Sequence, residues 1–173
     1  MTTRFELITT SSSRLWDFGW FDLSRFRVEI ASPEQDDWPG VLRAFLADPI
    51  SQRRFCTQPD PWGAVCGHHG PFRAETMAAE WFRPIARGEL GLRMGTAFEE
   101  GKFDGPPSAE QQRPIWAWAE DVESRGDRAF ELAAPLDVGV RVEFADMVWF
   151  VFREYVAVAA NGREFSIAVI GYD

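Results

Sequence analysis

The chain has 173 residues, 46 % of them hydrophobic and 14 % aromatic, with eight Trp and fifteen Phe. That is enough apolar material for one core, and it excludes a chain disordered throughout, because such chains are poor in aromatics. With 27 acids against 18 bases the formal charge is −9, a poor basis for gripping phosphate backbones, and no run approaches the roughly 18 apolar residues a membrane-spanning helix needs.

In chain order, residues 5–8 and 26–30 read as strands. In the second, Phe26, Val28 and Ile30 alternate with Arg27 and Glu29, a period of two. Residues 15–23, with Trp16, Phe18, Trp20 and Phe21 around Gly19, read as a strand with a bend. Ser32-Pro33-Glu34-Gln35 resembles a helix-capping box, and Trp38, Val41, Leu42, Phe45 and Leu46 fall on one face of a helix over 38–47. Asp36 or Asp37 would cap it, Asp48-Pro49 would stop it, and a short helix restarts at Pro49. Ala74, Met77, Ala78, Trp81, Phe82 and Ile85 form a stripe that predicts a second helix over 72–87, shortened or kinked at Pro84.

From Gly88 to Pro107 glycine and proline punctuate the chain, and the Gly/Pro-rich acidic stretch around 95–108 reads as an exposed, mobile loop. Trp116 and Trp118 alternate with alanine and suggest a strand over 115–119; residues 129–132 and 138–144 show the same period. Residues 148–160 and 163–171 flank Asn161-Gly162, which suits a tight hairpin turn. A two-residue turn there sets Val158 opposite Phe165, Val156 opposite Ile167 and Glu154 opposite Val169. The expected fold is a single α+β domain: a C-terminal antiparallel meander of about five strands plus N-terminal strands, packed against two or three helices.

Three constellations bear on function. Cys56, Cys66, His68 and His69 are all the cysteines and histidines of the chain, within fourteen positions. Thiolate and imidazole suit zinc, but the nine intervening residues between the cysteines do not match a standard site. The reading is therefore no cofactor and no metal, with those four residues as the alternative. Glu154 falls on an apolar strand face, where a carboxylate needs a partner or a proton, so it marks a ligand cavity, with Trp116 and Trp118 as stacking platforms, or a β-bulge that turns it outward, or a structural pair with an arginine such as Arg141. The third is charge: residues 95–123 carry seven acids (Glu99, Glu100, Asp104, Glu110, Glu120, Asp121, Glu123) against Lys102 and Arg113.

No nucleotide, protease or EF-hand signature is present. Together these favour a small acidic interaction protein over an enzyme, bacterial or phage in type, cytoplasmic because no signal peptide is recognisable and the thiols read as reduced. Its partner would be a more basic protein, as with inhibitors and immunity proteins, and not nucleic acid or membrane. Trp62, in a turn-rich loop, would anchor that contact, with Glu99, Glu100, Asp104, Glu120, Asp121 and Glu123 at its rim. A small-molecule-binding domain or enzyme using Glu154, and a metal protein using the Cys/His cluster, are the alternatives.

Overall fold

The computed structural model describes residues 3–29, 38–55, 61–100, 105–134 and 151–172. The chain opens with a hairpin of β1 (Arg4–Trp16) and β2 (Gly19–Glu29). The bend expected around Gly19 is its turn, at Asp17-Phe18. Arg14 ties that turn down, its Nη2 donating to the Asp17 carbonyl at 2.9 Å and to Asp17 Oδ1 at 3.1 Å.

β2 then pairs with the last strand, β8 (Glu164–Tyr172), which pairs with β7 (Val151–Val158), then β6 (Arg128–Leu132), then β5 (Phe82–Pro84). Among the described residues this gives one antiparallel six-stranded sheet in the order β1-β2-β8-β7-β6-β5. The last strand thus lies inside the sheet, between the N-terminal hairpin and β7. The β7–β8 register sets Val158 opposite Phe165, Val156 opposite Ile167 and Glu154 opposite Val169, as the hairpin geometry predicts. The loop itself is wider than a two-residue turn. Gly162 N–H donates to the Ala159 carbonyl at 2.8 Å, and the residue with positive φ is Gly162 (67°), not Asn161. Asn161 contributes its side chain instead, Oδ1 accepting from Arg163 N–H at 2.8 Å.

Both faces of the sheet are covered, so its strands are apolar on both sides. On one face Leu15, Phe21, Tyr155, Ala157, Ala168 and Ile170 meet α2 (Leu90–Glu100) and α3 (Ala109–Arg125). On the other, Phe5, Phe26, Val156, Phe165, Ile167 and Val169 meet α1 (Trp38–Ala47) and the chain that follows it. α1 has the predicted bounds, with Val41, Leu42 and Phe45 buried, and the restart is a 3-10 turn at Pro49–Ser51 capped by Asp48. The sequence motifs at Ser32–Gln35 and at Asp36 and Asp37, and the strand over 138–144, lie outside the described residues.

Three expectations are corrected. Residues 72–87 are not a helix: they form β4 (Phe72–Arg73), two 3-10 turns (Ala74–Thr76 and Ala79–Trp81) and β5. Met77 (φ −63°, ψ 134°) and Ala78 (φ −133°, ψ 140°) are extended. Two short turns separated by extended residues still bury Phe72, Ala79 and Phe82, and Pro84 is acceptable on an edge strand, so tertiary burial outweighs the helical stripe. Residues 115–119 are not a strand. Ser108 and Gln111 form a reciprocal capping box, Gly126 ends the helix in the left-handed conformation (φ 69°), and Ile115, Trp118, Ala119 and Val122 make a period of 3.6 over a longer window than the Trp-Ala alternation. Of the stretch around 95–108, residues 95–100 are the end of α2, residues 105–108 are a non-helical lead into α3 at Ala109, and residues 101–104 lie outside the described residues. In α2, Leu90, Met94, Ala97 and Phe98 are buried. No helix among the described residues is long and apolar enough to cross a membrane.

Gly91 and Gly95 lie one turn apart on α2 beneath the Trp116 ring, and a Cβ at Gly95 would stand 3.5 Å from it, an ordinary contact. The helix needs neither positive φ nor extra room there. Gly95→Ala should therefore raise the unfolding free energy in urea by about 0.5–1 kcal/mol. A loss of stability would show that α2 and α3 approach more closely than this.

Candidate functional site

The sheet face beneath α1 carries one cross-strand row in which Asp22 of β2 and Glu154 of β7 flank Val169 of β8. Two strand spacings set their backbones roughly 9–10 Å apart. Two segments cover this row, the 49–55 stretch and a small ribbon of β3 (His68–His69) and β4. They are joined through an isolated parallel bridge between Arg53 and His69: Arg53 N–H donates to the His68 carbonyl at 2.9 Å and Gly70 N–H to the Arg53 carbonyl at 2.7 Å. The bridge sets two bases side by side, and each meets one carboxylate. Arg53 Nη2 lies 3.6 Å from Asp22 Oδ1, and His69 Nε2 lies 2.9 and 2.8 Å from the two Glu154 oxygens. Gly70 permits the close approach: it has φ +55°, and any Cβ there would collide with the Phe152 ring.

Aromatic rings close the cluster. The Arg53 guanidinium lies 5.0 Å from the centre of the Phe55 ring and 5.3 Å from that of Trp62. Trp62 packs edge-on to Phe26 and Phe55, and its Nε1–H donates to Ser24 Oγ at 2.7 Å. Ser24 Oγ lies 2.8 Å from Thr10 Oγ1, which also accepts from Arg53 Nη1 at 3.3 Å. Glu154 and His69 have no exposed surface at all, and Asp22 and Arg53 almost none.

The His69 ring has an acceptor at each nitrogen. Nδ1 is 2.6 Å from the Ser51 carbonyl oxygen, which can only accept, so Nδ1–H donates. With Glu154 ionised, as the charge that raises His69 requires, Nε2–H donates to it and the pair is an imidazolium and a carboxylate. Burial alone would lower the His69 pKa, but the Glu154 charge and the hydrogen bonds to Glu154 and Ser51 outweigh it and hold it above 6.5. The neighbouring His68 moves the other way, lowered by burial and by the charges of Arg54 and Arg73. In this arrangement His69 has no lone pair for a metal or a substrate proton, and both Glu154 oxygens are engaged.

The sequence reading of Glu154 as a buried carboxylate in apolar surroundings matches its place, and its partner is His69; Arg141 lies outside the described residues. Successive residues of β3 face opposite ways, so His69 turns inward and His68 outward, while Cys66 Sγ points at the His68 carbonyl, 3.6 Å away. Cys56 is outside the described residues, and among the described residues no three His, Cys, Asp or Glu come together as a ligand set. Trp116 and Trp118 are on α3, across the sheet from Glu154, and do not share a face. Trp116 covers Gly91 and Gly95; Trp118 is buried, its Nε1–H donating to Ser166 Oγ at 3.1 Å. A cleft of about 530 Å³ is lined by Arg43, Asp48, Gln52, Met77 and Glu80 among others, and Glu154 is not in its wall.

Of the surface set, Glu99 and Glu120 are exposed. Glu100 ends α2, and Asp104 is outside the described residues. Glu123 is occupied inside the protein, accepting from the N–H groups of Gly88 (2.9 and 2.8 Å) and Leu90 (3.3 Å) at the start of α2. Asp121 pairs with Arg25 at 2.8 Å and Arg125 at 3.5 Å. Trp62 is half-buried in the core, not standing out from a loop. The sequence reading did not single out Asp22 and Ser24, yet they share the strand face of Phe26 and Val28, so the period of two placed them inside. No local signal announces Arg53. Comparison with protein-family models, curated proteins and solved structures finds no match for this chain.

Removing one member of a buried ion pair leaves the other charged and dry. Glu154→Ala should lower the unfolding free energy by about 3–5 kcal/mol, against less than about 0.5 kcal/mol for Glu120→Ala on the surface. Similar small losses in urea melts of both variants would contradict the buried pair.

Proposed function

We propose that this chain is a protein-binding module that docks a more basic protein, in the manner of an inhibitor or immunity protein, through the outer side of the α2–α3 layer. The observation that carries the reading is an apolar side chain standing free beside exposed acids: Leu92 is 72 % exposed on α2, and Glu99, seven residues on, lies on the same helix face. Phe18, 66 % exposed at the β1–β2 turn, stands near the same end of the layer, since Trp16 packs edge-on against Phe98 and its Nε1–H donates to the Gly105 carbonyl at 2.8 Å. Glu120 adds a further acid on α3.

Charge accounting supports the same surface. Asp22, Arg53, His69 and Glu154 cancel one another when His69 holds its proton, so the acidic excess lies outside the buried cluster. Glu123 and Asp121 serve the fold, which leaves Glu99 and Glu120 to meet a partner, together with Glu100 and Asp104 from the sequence reading. Trp62 is withdrawn from that role, because its ring and its Nε1–H are used inside. The reading through a Glu154 cavity would require that the covering segments first lift away.

The test uses a partner captured by the immobilised protein, identified and repurified. Glu99→Gln with Glu120→Gln should slow association about two- to tenfold at low ionic strength and have little effect near 0.5 M salt, where the Debye length is only about 4 Å. Leu92→Ala or Phe18→Ala should speed dissociation about tenfold. An acidic partner, or binding unmoved by all of these changes, would contradict the proposal.

A further inference from the structure

One imidazole joins three separate pieces of this chain. His69 belongs to the β3–β4 ribbon, its Nδ1–H reaches the Ser51 carbonyl of the 3-10 turn, and its Nε2–H reaches Glu154 in the middle of the sheet. Both acceptors lack hydrogens of their own, so the junction exists only while each ring nitrogen brings one. We propose that the His69–Glu154 contact is a proton-held latch, which pins the β3–β4 ribbon to the sheet and against the 49–55 stretch, and lets the ribbon lift away when the proton is lost.

The surroundings give the latch its force. Loss of one proton leaves a net negative charge facing a bare ring nitrogen, at a point that Phe55, Trp62 and Phe152 seal from water. No cation among the described residues is placed to replace it. Arg53 lies alongside in the bridge but is held by Asp22 of β2; on the ribbon, Arg73 is exposed and His68 turns outward. Opening restores hydration to both Glu154 and His69, and parting the ribbon from the 49–55 stretch breaks the Arg53–His69 bridge, so the Arg53 and Gly70 N–H groups that close it become exchangeable. The remaining sheet, from β1 to β6, does not depend on the ribbon for its ladder.

The sign follows from linkage. The opened His69 titrates near its ordinary 6.5, while the closed one holds its proton to higher pH. Below 6.5 both forms carry the proton, and opening is independent of pH. Above 6.5 the open form loses it first, so opening rises about tenfold per pH unit until the closed pair itself titrates, and then levels off.

The experiment is amide hydrogen exchange on the wild-type protein between about pH 6 and 9, with rates corrected for the intrinsic pH dependence of exchange. The reporters are Arg53 and Gly70, whose N–H groups close the bridge, against Leu23 and Ala168 paired in the β2–β8 ladder. The opening constant at Arg53 and Gly70 should be flat below 6.5 and rise above it, approaching tenfold per unit before it levels off where the closed pair titrates, with Leu23 and Ala168 exchanging at least a hundredfold more slowly throughout. Glu154→Gln and His69→Gln should each remove the rise. A flat wild-type profile overturns the latch. So does equal exchange at all four amides, which would mean that only the whole protein opens, or a rise that persists in folded His69→Gln. If neither variant folds, the wild-type profile decides alone.

Discussion

Two carboxylates on the inner face of a sheet, Asp22 and Glu154, are the constraint around which this protein is arranged. Each buried ion costs several kcal/mol in lost hydration, and only a well-placed opposite charge offsets that. Among the described residues the sheet offers no cation of its own at this row, and the chain between α1 and β5 supplies two. Arg53 and His69 come from positions sixteen residues apart, and the parallel bridge between their backbones spaces them to meet carboxylates separated by one strand. Much else follows from that fit. Gly70 lacks a side chain because Phe152 lies beneath it, Trp62 turns inward to cover Arg53 and reach Ser24, and the Pro49–Ser51 turn is placed so that its last carbonyl meets the imidazole.

The opposite face is built on different terms. There α2 and α3 pack by shape: two glycines one turn apart receive a tryptophan ring, and Trp118 needs one hydrogen bond, to Ser166. Charge is used at the edges of that layer, where Glu123 satisfies the free amides at the start of α2 and Asp121 bridges to Arg25. The layer is therefore rigidly held from within while its outer side keeps Leu92, Glu99 and Glu120 free. This division fits a surface that recognises a partner and an interior cluster that governs how one segment sits.

What the sequence made legible was local or periodic. α1 was readable from five apolar positions and its stop, and the β7–β8 register from one turn, which was enough to place Glu154 inside. The failures have specific causes. Trp116 and Trp118 alternate with alanine over too short a window to distinguish a strand from a helix, and the Ser108–Gln111 box was the better signal. The glycines of α2 looked like loop residues, although neither has positive φ and both sit inside a helix that faces Trp116 of another element. The stripe over 72–87 fits 3-10 turns joined by extended residues as well as it fits a helix. The His69–Glu154 contact spans 85 residues, and nothing near either residue names the other. The one available hint was that both are costly to bury alone.

The central claim is the protonation state of His69, and a ¹H–¹⁵N spectrum of the imidazole rings reads it directly. The chain has only two histidines, so His68→Gln assigns the signals. At neutral pH the account predicts that both His69 ring nitrogens carry slowly exchanging protons, that neither has a free lone pair, and that the ring does not titrate through 6.5. A His69 ring with one bare nitrogen, and with an ordinary midpoint near 6.5, would contradict it.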